Sequence, residues 1–326
     1  MSGRPARLVA AAVLAAAILA GCGDDGGSAG PSTQAPVAVA PGPARPPTQA
    51  ANGPLYVDAN TRPLAVKLGD PRDPVHQRFR QPPRSGLLFD LDTGEVLWRK
   101  DPTRILPIAS LTKMMTATLV AERLAPDDKA RISKEVLGYS GSGVGVLPRG
   151  KRVSVENLLN GLMLVSGNDA AIALALRAAG SQKAFVARMN QRAQELGMSC
   201  THYASPSGIV DAHNHSCASD LAAQARMVLD VPRLAAIVKR RRVRLRFPIK
   251  GGRLELYNTN PLLRRGYPGV IGVKTGYTDA AGRCLVAAAQ RGGRRLGVVL
   301  LHSPDPERHA RVLLNRGFRV LAHEGQ

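Results

Sequence analysis

Acidic residues are scarce in this chain: 24 Asp and Glu stand against 45 Lys and Arg in 326 residues, a formal net charge of +21 at pH 7. Such an imbalance implies an anionic neighbourhood. No apolar run is long enough to span a bilayer comfortably; the longest, Leu8 to Ala20, has the length of an export signal instead. No internal repeat is present, which excludes solenoid and propeller arrays. Metal ligands at site spacing are missing too. Asp211-Ala-His213-Asn-His215 offers two histidines in a loop without further partners, so no metal and no cofactor is expected.

The N-terminus carries Arg4 and Arg7 and no acid before the apolar run, which closes in Leu19-Ala20-Gly21-Cys22. That ending is similar to a bacterial lipobox, in which Cys22 would be acylated and become the mature N-terminus; a plain signal peptide with a chance cysteine is the other reading. Two buried acyl chains would hold the protein on a membrane stably. From Gly23 to about Pro54 large apolar residues are nearly absent, so the segment cannot bury enough surface to offset its ordering entropy. Its prolines favour extended conformations, the composition of a tether. Leu55 to Arg84 scatters apolar residues among prolines and charges and leaves open whether it packs. The chain therefore divides into a signal over 1–21, a tether over 22–84 and a folded domain over 85–326, about 240 residues and enough for one well-buried α/β unit.

An exported chain rarely meets nucleic acid, so no nucleic-acid partner is expected, and anionic lipid head groups and acidic wall polymers suit the charge better. The densest basic run, Lys239 to Arg246, ends in alternating Arg and apolar residues, the pattern of a strand with one solvated charged face. Besides Cys22 there are three cysteines. Cys200 and Cys217 flank a loop containing Pro and Gly and can close it as a disulfide, whereas Cys284 lies in an apolar strand-like run as a buried thiol.

Gly86 to Trp98 reads as two strands around an Asp-Thr-Gly turn. A buried helix is expected from about Ser110 to Leu124, with Ser110 at its start. Ser154 caps a helix that runs to about Val165, Asp169 opens an alanine-rich helix, and two more follow over Ser181–Leu196 and Asp220–Leu229. Strands are expected at 269–273, 284–290 and 296–301, then a helix from Asp305-Pro306 that Gly317 ends. Strands at both ends of a helical middle imply one antiparallel sheet with helices on its faces.

Ser110-Leu-Thr-Lys113 places a hydroxyl and an amine three residues apart on one helical face, the minimum equipment for an activated serine. Ser166-Gly167-Asn168 and Lys274-Thr275-Gly276 follow in the order of a serine acyl-transfer site. Together with Pro206-Ser-Gly208 and the continuation Tyr277 to Gly282, these motifs make Ser85 to Leu321 resemble the penicillin-binding serine D-alanyl-D-alanine carboxypeptidases of low molecular mass. The resemblance implies an α/β (α+β) fold of the β-lactamase/transpeptidase kind, its antiparallel sheet built from both chain ends and flanked by a helical subdomain. It implies that Ser110 attacks the penultimate D-alanine carbonyl of a peptidoglycan stem pentapeptide and that β-lactams acylate the same serine. Lys113 would be the base, Lys274 the cation that lowers its pKa, Ser166 a proton relay and Asn168 a substrate and Lys113 anchor. Thr275 would bind the terminal carboxylate, Gly276 and Tyr277 would line the substrate, and the N–H groups of Ser110 and Tyr277 would hold the oxyanion. Arg308 is a candidate for a further carboxylate contact. Cys22 would anchor the enzyme on the outer face of the cytoplasmic membrane, facing the wall.

Two rivals follow from the same residues. A β-lactamase shares the scaffold, but Glu156-Asn-Leu-Leu-Asn160 precedes Ser166 by ten residues, where that enzyme's deacylating glutamate follows the corresponding motif. A catalytically silent wall-binding module is the other, against which every motif residue is intact. Gly141-Ser-Gly143-Val-Gly145 evokes a phosphate loop but lacks the Gly-Lys-Ser/Thr ending, and reads as a cap near Ser166 or a plain turn.

Overall fold

The computed structural model describes residues 64–70, 73–209 and 212–323. Cys22, the signal and most of the expected tether lie outside the described residues, as does Asp211. The folded part opens with β1 (Ser85–Asp90) and β2 (Val96–Lys100). Between them Asp90 Oδ1 accepts the N–H groups of Asp92 and Thr93, both at 2.8 Å, which fixes the Asp-Thr-Gly turn. Short β3 (Leu106–Pro107) then leads to a 3-10 turn over Ala109–Thr112 and to α1 (Lys113–Arg123). Ser110 thus precedes the α-helix that the sequence starts at it. Ala109 sits at φ 48°, a left-handed value that delays regular α geometry, and the tighter turn still eclipses residues i and i+3.

The helical region comprises β4 (Lys129–Arg131), α2 (Lys134–Leu137), β5 (Arg152–Ser154), α3 (Val155–Leu164), α4 (Asn168–Ala179) and α5 (Gln182–Glu195). Ser154 Oγ accepts from Asn157 N, and Ser181 Oγ from Ala184 N, so the serine caps of α3 and α5 are formed. Next come β6 (His215–Ser216), α6 (Ala218–Asp230), α7 (Pro232–Val238), β7 (Arg242–Arg246), β8 (Arg253–Tyr257) and α8 (Pro261–Arg264). In the β7–β8 hairpin Val243, Leu245, Leu254 and Leu256 pack on the core while the arginines alternate outward. The chain closes with β9 (Val270–Thr278), β10 (Gly282–Arg291), β11 (Arg294–Leu301) and α9 (Pro306–His323).

Five strands make one antiparallel sheet in the order β2-β1-β11-β10-β9, so the first and last strands of the domain are neighbours. With β1 inside the sheet, Leu87, Leu88 and Phe89 are all fully buried, alternate residues facing opposite layers. Leu87, Phe89, Val286 and Val299 meet the helical layers that include α1 and α6. Leu88, Leu285, Val298 and Leu300 meet Ala310, Leu313 and Leu314 of α9.

Two expectations are corrected here. Helix α9 runs through Gly317 rather than ending there. A Cβ at Gly317 would lie 2.8 Å from Leu296 Cδ1 and 3.0 Å from Leu88 Cδ2, so the glycine lets the helix approach the sheet. The tether also ends earlier than residue 84. Leu64 and Val75 are buried, Asp73 Oδ1 lies 2.7 Å from Arg99 Nε, and Trp98 Nε1 donates to the Gln77 carbonyl at 3.0 Å.

Candidate active site

Lys113 begins α1 with its side chain fully buried. Its Nζ contacts three acceptors: Ser110 Oγ at 2.8 Å, Asn168 Oδ1 at 2.7 Å and the Ser207 carbonyl at 2.6 Å. Burial pushes this amine well below the usual lysine range, the charge of Lys274 pushes it further, and Asp169 pulls partly the other way. A neutral amine keeps two N–H donors and one lone pair. Asn168 Oδ1 and the Ser207 oxygen can only accept, so they take the donors and leave the lone pair for the Ser110 hydroxyl.

Each partner is held by a separate device. Asn168 opens α4, donates from Nδ2 to the Ser140 carbonyl at 2.6 Å and from its backbone to the Ser142 carbonyl at 2.8 Å. The next residue, Asp169, accepts from the N–H groups of Val144 and Gly145. The glycine-rich loop 141–145 is therefore clamped to the start of α4, beside Ser166. Pro206 and Ser207 are fixed by Thr116 Oγ1, which donates to the Pro206 carbonyl at 2.7 Å. Gly208 follows at φ 75°, and any Cβ there would collide with the Ala109 carbonyl oxygen and lie 2.5 Å from Thr112 Oγ1.

Lys274 stands on β9, also buried, and donates to Ser166 Oγ at 3.0 Å and to the Thr275 carbonyl at 2.8 Å. Burial lowers its pKa to about 7. Ser166 is held at φ 63°, strain of about 1–3 kcal/mol for a non-glycine residue, and its hydroxyl meets the β9 lysine. Strand β9 is a sheet edge, so one row of its N–H and C=O groups has no strand partner. A Cβ at Gly276 would sit 2.9 Å from the Ile108 carbonyl oxygen and 3.2 Å from Ser110 N. Only glycine lets β9 come this close to the serine turn. Tyr277 follows, 62% exposed, its hydroxyl donating to Asp279.

The seven residues Ser110, Lys113, Ser166, Asn168, Lys274, Thr275 and Gly276 are thus joined by contacts through one site. Arg308 is different: it lines a cavity with Arg78, Phe79, Arg80 and Arg316 that no β9 residue lines. Glu156 pairs with Arg233 Nε at 2.9 Å. Cys200 and Cys217 are joined by a disulfide, and these two sulfurs with Asp220 are the one cluster of potential metal donors among the described residues. Sulfur engaged in a disulfide is no thiolate ligand. Cys284 is buried in β10, its thiol 3.5 Å from the Ala281 carbonyl. Sequence reasoning assigned no role to the Ser207 carbonyl, Ser140, Asp169 or Thr259. The first had a signal, since Pro206-Ser-Gly208 is part of the resemblance; backbone carbonyls carry no side-chain letter to reveal them.

The family model described as D-alanyl-D-alanine carboxypeptidase matches residues 77–305. D-alanyl-D-alanine carboxypeptidase DacF of Bacillus subtilis is 37% identical over 247 residues, covering 74% of this chain and 63% of the relative. DacB2 of Mycobacterium tuberculosis, with the same description, is 38% identical over 225 residues, 68% of this chain and 75% of the relative. The crystal structure of the Streptomyces K15 DD-transpeptidase superposes with a TM-score of 0.70 at 34% identity, over 75% of this chain and all of that one.

Proposed function

Because the chain belongs to the D-alanyl-D-alanine carboxypeptidase family, we propose that it is a penicillin-binding serine carboxypeptidase acting on peptidoglycan stem pentapeptides. Ser110 Oγ attacks the carbonyl of the penultimate D-alanine as Lys113 takes its proton. The N–H groups of Ser110 and Tyr277 receive the developing oxyanion, each such donor contributing roughly a hundredfold in rate. Ser166, bonded to Lys274, passes a proton to the leaving amine, and D-alanine departs. Asn168 keeps one amide hydrogen for the substrate backbone, while Thr275 and Lys274 meet the terminal carboxylate. Water then enters, its hydroxyl going to the acyl carbon and its proton returning to Ser110.

The observation that carries this reading is the pair of carbonyl acceptors on Lys113, which turn a lysine lone pair toward a serine. The pairing of Glu156 with Arg233 argues against use of that carboxylate for rapid deacylation, so a penicillin adduct on Ser110 should be long-lived. The reading extends outside the cytoplasm: export by residues 1–21, acylation of Cys22 and a tether reaching into the wall. No helix among the described residues is long and apolar enough to cross a membrane.

The test is direct. Fluorescent penicillin should label the protein stably, and diacetyl-Lys-D-Ala-D-Ala should release D-alanine; Ser110→Ala should abolish both. Stable labelling without D-alanine release would redirect the assignment to transpeptidation. Fast turnover of benzylpenicillin with no adduct would make the protein a β-lactamase, and no reaction with either would leave the silent module.

A further inference from the structure

The arginine-rich run takes no part in the chemistry above, yet the fold sets its base beside the catalytic strand. Thr259 Oγ1 lies 2.8 Å from Thr275 Oγ1. Next to that pair opens a cavity of about 800 Å³ lined by Arg241, Arg242, Tyr257, Asn258, Thr259 and Arg264. No carboxylate lines it. Glu255 of β8 and Glu307 of α9 pair instead with Arg244 and Arg265, neither of which lines the cavity. Its floor is fixed: Asn258 is buried and donates from Nδ2 to the carbonyls of Val238 and Arg240, at 3.2 and 3.0 Å. Its rim is tied as well, Arg241 Nη2 donating to the Arg264 carbonyl at 3.1 Å.

Position gives this cavity a role. The Ser110 backbone faces Gly276, and Thr275 is the next residue toward the cavity. A peptide along the free edge of β9, with its scissile carbonyl at Ser110 and its terminal carboxylate at Thr275, points its leaving end into the arginines. One D-alanine fills little of such a space. We propose that the arginine cavity is a leaving-group subsite for a second carboxylate, so that the enzyme also cleaves D-alanyl amides whose leaving residue is acidic. This inference rests on the acyl-transfer reading above. The bonds balance as before: the amide C–N bond breaks as the Ser110 ester forms, and the amine leaves with its proton and both carboxylates. Water then hydrolyses the ester.

The experiment compares kcat/KM of the full chain for diacetyl-Lys-D-Ala-D-Glu and diacetyl-Lys-D-Ala-D-Gln, which differ by one charge at nearly constant shape. The acidic peptide should be favoured about three- to tenfold, as expected for one or two solvated guanidinium–carboxylate contacts. Added salt should shrink the preference. In Arg242→Gln/Arg264→Gln it should fall toward unity. Both peptides are measured on the same preparation, so misfolded protein cancels from the ratio. A wild-type ratio near one, or a ratio that survives in the double variant, overturns the inference while D-alanine release from the parent peptide keeps the proposed function. A parallel loss for both peptides also overturns it, because the arginines then serve the terminal carboxylate. Cleavage of none of the three peptides overturns both readings together.

Discussion

Lys113 and Lys274 are both buried amines, but the proposed chemistry asks opposite things of them. Lys113 must be neutral to accept a proton, and its depressed pKa, set first by desolvation and then by Lys274, lets it reach that form well below the 10.5 of a free lysine. Lys274 must stay charged to meet a carboxylate, yet burial alone brings it to about 7. The signs fix the pH profile. Acylation should rise as Lys113 loses its proton and fall as Lys274 loses its own, giving a bell whose alkaline limb begins near pH 7. Lys274→Arg keeps its charge at every accessible pH and should remove that limb, whatever it costs in absolute rate. Rates of penicillin acylation between pH 5 and 10 would decide it; a wild-type profile still rising at pH 10 would rule out a cationic role for Lys274. That Ser110, both lysines, Ser166 and Asn168 would meet in one site was legible in three short motifs, because side-chain chemistry is written in the residue letters. The Ser207 carbonyl was not, since any residue offers a carbonyl and only the fold aims it.

The loop between Cys200 and β6 is the element that aims it. Its ends are joined by the disulfide, with a sequence separation of 17, and β6 pairs with β3, which leads straight into the serine turn. Asn214 Nδ2 adds a bond to Thr112 Oγ1 at 3.0 Å inside that turn. Closing a loop of this size stabilises by about 3 kcal/mol in the chain-entropy account. Cys200→Ser/Cys217→Ser should therefore lower stability by roughly 2–4 kcal/mol in urea unfolding, and D-alanine release should drop in protein that is still folded. Unchanged release at full occupancy of the folded state would mean that packing alone holds the Ser207 carbonyl on Lys113. The two cysteines flanking Pro and Gly made this loop readable in advance. The 3-10 start of α1 and the passage of α9 through Gly317 were not, for a shared reason. A glycine that ends a helix and one that admits a neighbouring sheet are the same letter, and the left-handed φ of Ala109 goes with the close approach of Gly208, distant in sequence.

At the scale of the molecule, both chain ends meet in one sheet, and the continuous apolar runs of β1, β10 and β11, bounded by turn residues, made that closure legible. What composition left undecided is the segment before β1. Apolar residues scattered among prolines and charges do not reveal whether it packs, because the partners that pin it lie far along the chain. Arg226 of α6, only 2% exposed, donates to the carbonyls of Leu64 at 2.7 Å and Ala65 at 3.2 Å, and also to those of Leu91 and Asp92 in the β1–β2 turn. One guanidinium thus joins the segment, the sheet and the helical layer. Arg99 ties the same segment to the other end of β2 through Asp73 and the carbonyls of Leu68 and Asp70. A chain beginning at Ser85 exposes the places of Leu64 and Val75 and removes two acceptors from the buried Arg226. Against one beginning at Leu64 it should lose about 3 kcal/mol, from two apolar side chains at roughly 1.5 kcal/mol each. For a domain of this size that is a fall of roughly 6–12 °C in Tm. The described residues of 64–84 make no direct bond to Ser110, so penicillin acylation of the shorter chain should persist at low temperature and fail first on warming. Equal Tm values for the two chains would put the folded unit's edge back at Ser85, with Arg226 satisfied by the sheet turn and water alone.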